Sequence, residues 1–236
     1  VKSNIKQKVL QDKLTLDFAT NIQQADVFLL VDTTGSMGTT ITGLQSSLTN
    51  TIIPALQAQI PSVAIGIGDY RDFPTSPYGD PTDWPFKLVH RMMSVNTTAG
   101  SASRQTAVGT LKAGGGADGP ESSWEALHQI ATGAGTTQGG AKVPAFSPTT
   151  AYPTTPITGE TFGTRPGVGF RDGSLPIIVY FTDAVGHNSD TITTGNYAST
   201  LISPRSTDVI SELNAISARV IGVNANSGNP RIDQLS

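Results

Sequence analysis

VFLLVDTTGSMG, residues 27–38, runs from five apolar positions into an aspartate and then into a cluster of hydroxyls and glycines with no lysine among them. An unbroken apolar run of this length suits a strand buried on both faces of a parallel sheet. PIIVYFTD (176–183) has the same character and also ends in an aspartate. SVAIGIGDY (62–70) reads as a glycine-diluted third strand, RVIGVNA (219–225) as a fourth, and the more mixed FKLVHRMMSV (86–95) as an antiparallel edge strand. Between them Ile41, Leu44, Leu48, Ile52 and Leu56 recur at helical spacing, with Pro54 expected to end or kink that helix near Ile53. WEALHQIA (124–131) and DVISELNAIS (208–217) suggest two further helices. Such alternation predicts a doubly wound α/β fold: a mainly parallel sheet with one antiparallel edge strand and helices on both faces.

The chain has 236 residues, a formal net charge of -3 and 37% hydrophobic residues, enough for one sizeable core. With only 15 Lys and Arg, nucleic acid or anionic lipid is not the expected main partner. No apolar run reaches the roughly 18 residues of a membrane span. The absence of cysteine excludes a disulfide scaffold, a thiolate metal site and a cysteine nucleophile. No signal peptide is visible at Val1, which suggests a processed chain or an excised segment.

Residues 133–174 break the alternation. They are rich in Gly, Thr and Pro without sustained periodicity, and read either as a disordered excursion or as an ordered loop rimming a site. Residues 1–20 read as an N-terminal tail or, through KLTLDFA, an extra edge strand, leaving 21–236 as the domain proper.

In a doubly wound sheet, ligands sit at the carboxyl ends of the strands, where VFLLV delivers Asp32, Thr34 and Ser36, and PIIVYFT delivers Asp183. Oxygen-only donors suit a hard cation such as Mg²⁺. A phosphate cradle is the rival reading, but GxxxxGK[ST] is absent and an aspartate at the head of the loop would repel a phosphate.

These residues resemble a known family. DTTGS is similar to the D-x-[ST]-x-S of the metal-ion-dependent adhesion site in von Willebrand factor A domains, and FTDA to that family's distal aspartate. GIGDYRDFPTSPY (66–78) and GGGADGPESSWEAL (114–127) resemble the integrin β-subunit I-like branch, which places a glutamate where Glu121 stands. The resemblance spans roughly residues 25–225. It implies a first cation, Mg²⁺, at Asp32, Thr34, Ser36, Glu121 and Asp183, with a position left open for a ligand. It implies a second, Ca²⁺, at Asp72, Asp118, the carbonyl of Pro120 and Glu121. Gly116 stands where the family has an asparagine, so the second site is expected to be weaker. Thr39 and Thr40 stand where a third site needs acidic residues, so that site is expected to be absent. The shortened PTSPYGDPTDWP (74–85) argues against transferring integrin ligand preferences. A further helix and strand normally follow RVIGVNA in the family, so either the parent chain is expected to continue or residues 12–19 to supply an edge strand.

Charge supports two cations independently of any family. Like-charged pairs about 4 Å apart repel by about 4 kcal/mol at an effective dielectric of about 20. If Asp32, Asp72, Asp118, Glu121 and Asp183 converge, their five negative charges against four from two divalent ions leave one. The ordinary alternatives are that Asp32 or Asp118 is a helix N-cap and that Thr34 and Ser36 are turn residues. His187 is expected at the surface, His90 and His128 in packing roles, and Trp124 anchoring its helix. Trp84 and Tyr78 are expected either near the site or over an edge.

The expected function is a non-enzymatic, cation-dependent adhesion module of an extracellular or cell-surface protein, taking a partner's Asp or Glu carboxylate as ligand. The alternative is an intracellular A-domain scaffold subunit of a metal chelatase or AAA-ATPase complex; a metal-dependent hydrolase is the remaining reading, without a placed general base.

Overall fold

The computed structural model describes residues 22–150, 163–188, 190, 197–198 and 200–225. The expectations for residues 1–20 and for the chain after RVIGVNA lie outside these.

Five strands form one sheet in the order β3-β2-β1-β4-β5. They are β1 (Gln24–Asp32), β2 (Ser62–Tyr70), β3 (Lys87–Ser94), β4 (Leu175–Thr182) and β5 (Arg219–Asn224). All neighbours pair in parallel except β2 and β3, which are antiparallel with register shifts near Ile65 and Ile67. The expected α/β architecture, edge strand included, is therefore present. The glycines of β2 have a packing reason. Gly66 lies opposite Phe28 in register, and a Cβ at Gly66 would stand 2.7 Å from that ring and 2.6 Å from Met92 Sδ.

Each face of the sheet carries its own core. On one, Ile41 and Leu44 of α1 (Gly38–Ser47) and Val108 of α3 (Thr98–Thr110) pack with Val27, Leu29, Val31 and Ile65. On the other, Leu127 and Ile130 of α4 (Ser123–Thr132) and Val209 and Leu213 of α5 (Ser206–Ala215) pack with Phe28, Leu30 and Ile178. Val143, Phe146, Val168 and Phe170 join this second core, so the described parts of the Gly/Thr/Pro-rich segment are fastened to the sheet. Arg171 adds a polar clamp. Its Nε lies 2.7 Å from Asp26 Oδ1, inside β1, and its backbone N–H donates to Asp26 Oδ2.

The helix of Ile41 to Leu56 neither ends nor breaks at Pro54. A π-helical turn over Leu48–Ile52 joins α1 to α2 (Ile53–Gln59), and the proline falls in the first turn of α2. A proline there has no hydrogen bond to forfeit, because the widened turn has already released the local i→i−4 ladder. Helix α3 has no counterpart among the sequence expectations. Thr97 caps it, its side chain accepting from Gly100 N. At the far end of α4, Gly133 takes φ 65°, a left-handed C-cap that carries the chain back against Phe146.

Candidate metal centre

The sheet order reverses direction between β1 and β4, and the crevice for ligands lies where that reversal occurs. Asp32 ends β1, and Asp183 follows β4 directly. Asp32 is fully buried. Its Oδ1 accepts from Thr34 N at 2.9 Å and Thr34 Oγ1 at 2.7 Å, and its Oδ2 from Thr182 Oγ1 at 2.8 Å. Above it, at the exposed mouth, Ser36 Oγ donates to Asp183 Oδ1 at 3.0 Å.

Glu121 enters from the loop before α4. Its backbone N–H donates to Val185 O at 2.9 Å, and His187 N donates back to Glu121 O at 2.7 Å, so this loop and the one after β4 are joined by a short bridge. The Glu121 side chain runs beneath Gly116: a Cβ there would stand 2.8 Å from Glu121 Oε1 and 3.3 Å from Thr34 Cβ. Glu121 is 4% exposed, and its Oε2 has no hydrogen-bond partner. Burial, and then the charges of Asp32, Asp72 and Asp118, push its carboxyl up to about 10. Pro120, half-buried, directly precedes it.

Asp72 follows β2 and is fully buried. Its Oδ1 accepts from Phe73 N at 2.6 Å and from the Tyr197 hydroxyl, while its Oδ2 makes no hydrogen bond. Burial pushes its pKa up to about 8, and burial likewise raises Asp32 to about 6. The cation nearest by sequence does not relieve this charge, because Arg71 pairs with Asp83 at 3.2 Å. Asp83 also holds the glycine loop, accepting from Gly116 N at 2.8 Å. The donor set therefore fits a divalent ion: buried carboxylate oxygens without partners, two hydroxyls, and no neutralising Lys or Arg on the cluster.

All the residues expected at the two cation positions thus gather at one end of the sheet. Three features departed from expectation or escaped it. His187, expected at the surface, is 2% exposed, with Nε2 3.1 Å from Asp118 Oδ2 and 3.4 Å from Asp72 Oδ2. The parallel bridge between Glu121 and Gly186 draws the residue after Gly186 inward. Tyr197 was not singled out, since NYAST (196–200) has no apolar pattern, yet its ring stacks on His187 at 4.3 Å between centroids. Asp83, inside the shortened loop 74–85, pairs with Arg71 and holds Asp80 N and Gly116 N. The Pro-rich turn around it was the available signal. Tyr78 does sit at the site, edge-on to both His187 and Tyr197. Trp84 flanks it, donating its indole N–H to Asp69 at 3.0 Å beneath the Arg71 guanidinium.

No family model and no curated protein matches the chain. Among solved structures it is similar to the pilus adhesin SpaC from Lactobacillus rhamnosus GG, with 14% identity and a TM-score of 0.46 over 87% of this chain and 25% of that one. It is also similar to the open conformation of SpaC, with 14% identity and a TM-score of 0.45 over 86% of this chain and 24% of that one. The chain therefore spans about a quarter of the length of these structures, and a likeness this shallow carries no functional argument.

Proposed function

We propose that this chain is a divalent-cation-dependent binding module of an extracellular or surface protein that captures a protein partner through an Asp or Glu side chain, and is not an enzyme. One observation carries this reading: the buried Glu121 carboxylate, with an oxygen lacking any hydrogen-bond partner, lies among further acidic groups that no Lys or Arg neutralises. A buried charge of that kind is costly unless it is paired or bound to a metal.

In this reading Asp32, Thr34, Ser36, Glu121 and Asp183 hold a Mg²⁺, and Asp72, Asp118, Glu121 and the Pro120 carbonyl hold a second ion, Ca²⁺ by family resemblance. A Mg²⁺ so held supplies an electrophilic position that a partner's carboxylate oxygen can occupy in place of water. The protein's own residues set the terms of that exchange. Thr34 and Ser36 contribute neutral oxygens, which keeps negative charge low on the side facing the partner. Asp32, anchored by three hydrogen bonds, cannot swing out to compete. Ser36 and Asp183 stand at the accessible mouth, where a partner would arrive. The hydroxyls of Thr34 and Ser36 are directed at carboxylates and the nearby His187 ring faces Asp118, an arrangement that supports ion binding over nucleophilic catalysis. The surface location rests on a weakly charged composition rich in Thr, Ser and Gly and on the resemblance of the site to the integrin β-subunit branch.

The test is retention of partners from surface extracts by wild type and Asp183→Ala, each with and without EDTA. Retention confined to the wild type with cation is expected. Equal retention in all four arms would overturn the reading and favour the scaffold-subunit alternative.

A further inference from the structure

We infer that Asp72, Asp118 and His187 form a mixed nitrogen–oxygen site selecting Zn²⁺ and similar borderline first-row ions over Ca²⁺. The inference rests on the proposed second cation position and changes the ion assigned to it.

Three separate loops contribute: Asp72 follows β2, Asp118 precedes α4, and His187 follows β4. One ligand atom from each lies within 4.8 Å of the others. His187 Nε2 is 3.1 Å from Asp118 Oδ2 and 3.4 Å from Asp72 Oδ2. In a tetrahedral site with bonds of about 2.0–2.1 Å, neighbouring donor atoms stand about 3.3 Å apart. The two separations fall on either side of that value.

Two of the three donors are oriented from behind. Asp72 Oδ1 is taken by Phe73 N and the Tyr197 hydroxyl, which leaves Oδ2 turned toward His187. The imidazole is stacked on Tyr197 and held edge-on by Tyr78, 5.2 Å between centroids. Outer contacts of this sort fix the donor atom a ligating group presents. Glu121 lies outside this group of three, but its buried Oε2, without a hydrogen-bond partner, is an independent sign of uncompensated charge beside it. Asp118, 28% exposed, leaves a way in.

The nitrogen decides the ion. Ca²⁺ takes oxygen ligands and gains little from an imidazole, whereas imidazole with carboxylates suits Zn²⁺ and its neighbours.

The test is titration of the metal-free full chain with Zn²⁺, Co²⁺ or Ca²⁺ in excess Mg²⁺, followed calorimetrically and, for Co²⁺, by its visible absorption. One tight Zn²⁺ equivalent that Ca²⁺ does not displace is expected, with a Co²⁺ spectrum of low-coordinate nitrogen–oxygen ligation. Because loss of an outer-shell partner alone lowers metal affinity by about 10–100-fold, His187→Gln should cost at least about tenfold. Asp118→Asn, at a partly exposed position, should do the same if His187→Gln fails to fold. His128→Gln, altering a histidine paired with Glu212 on α4, should change nothing. Ca²⁺ binding at least as tightly as Zn²⁺, or Zn²⁺ affinity indifferent to both site substitutions, would overturn the inference. Asp183→Ala lies outside this donor set and should leave the Zn²⁺ equivalent in place, so failure of partner capture and failure of ion choice are separable.

Discussion

At Gly116 the missing side chain is what lets Glu121 lie beneath the glycine loop. The residue takes φ +74°, and a Cβ would come within 2.8 Å of Glu121 Oε1. Gly116→Ala should therefore cost about 1–2 kcal/mol in backbone strain alone and displace the carboxylate as well. A lowered melting temperature together with weakened cation binding is expected, the first read by thermal denaturation and the second by calorimetry. Ser36 gives the opposite pattern. It is exposed and touches only Asp183 through its hydroxyl, so Ser36→Ala should leave stability within about 0.5 kcal/mol of wild type while abolishing partner capture. Asp32, Thr34, Ser36 and Asp183 were legible in the sequence because two buried strands end in them. His187 was not, because its burial comes from pairing between two loops distant in sequence, and nothing in DAVGHNSD (183–190) announces that.

Among the elements, the strands were legible for a simple reason: β1, β2 and β4 carry apolar runs that only a covered sheet can hold. Helix α3 escaped because TAGSASRQTAVGT has almost no apolar face: among the described residues its buried side chains include Ala107, Val108 and Arg104, whose guanidinium donates to Ser94 O at 2.9 Å. Its cap adds to these anchors, so Thr97→Ala should destabilise the protein by about 1 kcal/mol, measurable in urea melts. The π-helical turn escaped because spacing shows the apolar stripe but not where the backbone widens to keep it in place. The polar clamp of Arg171 on Asp26 is the element-scale contact with most at stake. Asp26 is fully buried, and Arg171→Ala would leave its carboxylate without the guanidinium. A loss of about 3–5 kcal/mol is expected, read as a fall in denaturant midpoint.

For the whole molecule, the gathered carboxylates couple stability to pH and to cation together. Burial holds Asp32 near 6, Asp72 near 8 and Glu121 near 10 in the folded, metal-free chain, against about 4 in the unfolded one. Between those values the native state binds more protons than the unfolded state, so stability falls as pH rises from about 4 through 8. Without cation, a urea midpoint higher at pH 5 than at pH 8 is expected. Divalent cation should narrow that gap, because ligation needs the deprotonated carboxylates and adds RT ln(1 + [L]/Kd) to the native state, about 2.7 kcal/mol at a hundredfold excess over Kd. Identical midpoints with cation and with EDTA at pH 8 would count against any ion at this end of the sheet.

The chain's two tryptophans both neighbour loops that carry the acidic cluster. Trp84 lies between Arg71 and Lys87 with its N–H on Asp69, three positions before Asp72. Trp124 packs against Gly186, beside His187, at a site where even a methyl group would come within 3.0 Å of its indole nitrogen. Both indoles are thus set against the loops that would tighten around an ion, and the protein carries its own optical gauge: cation arrival should be visible in its ultraviolet emission with no label attached.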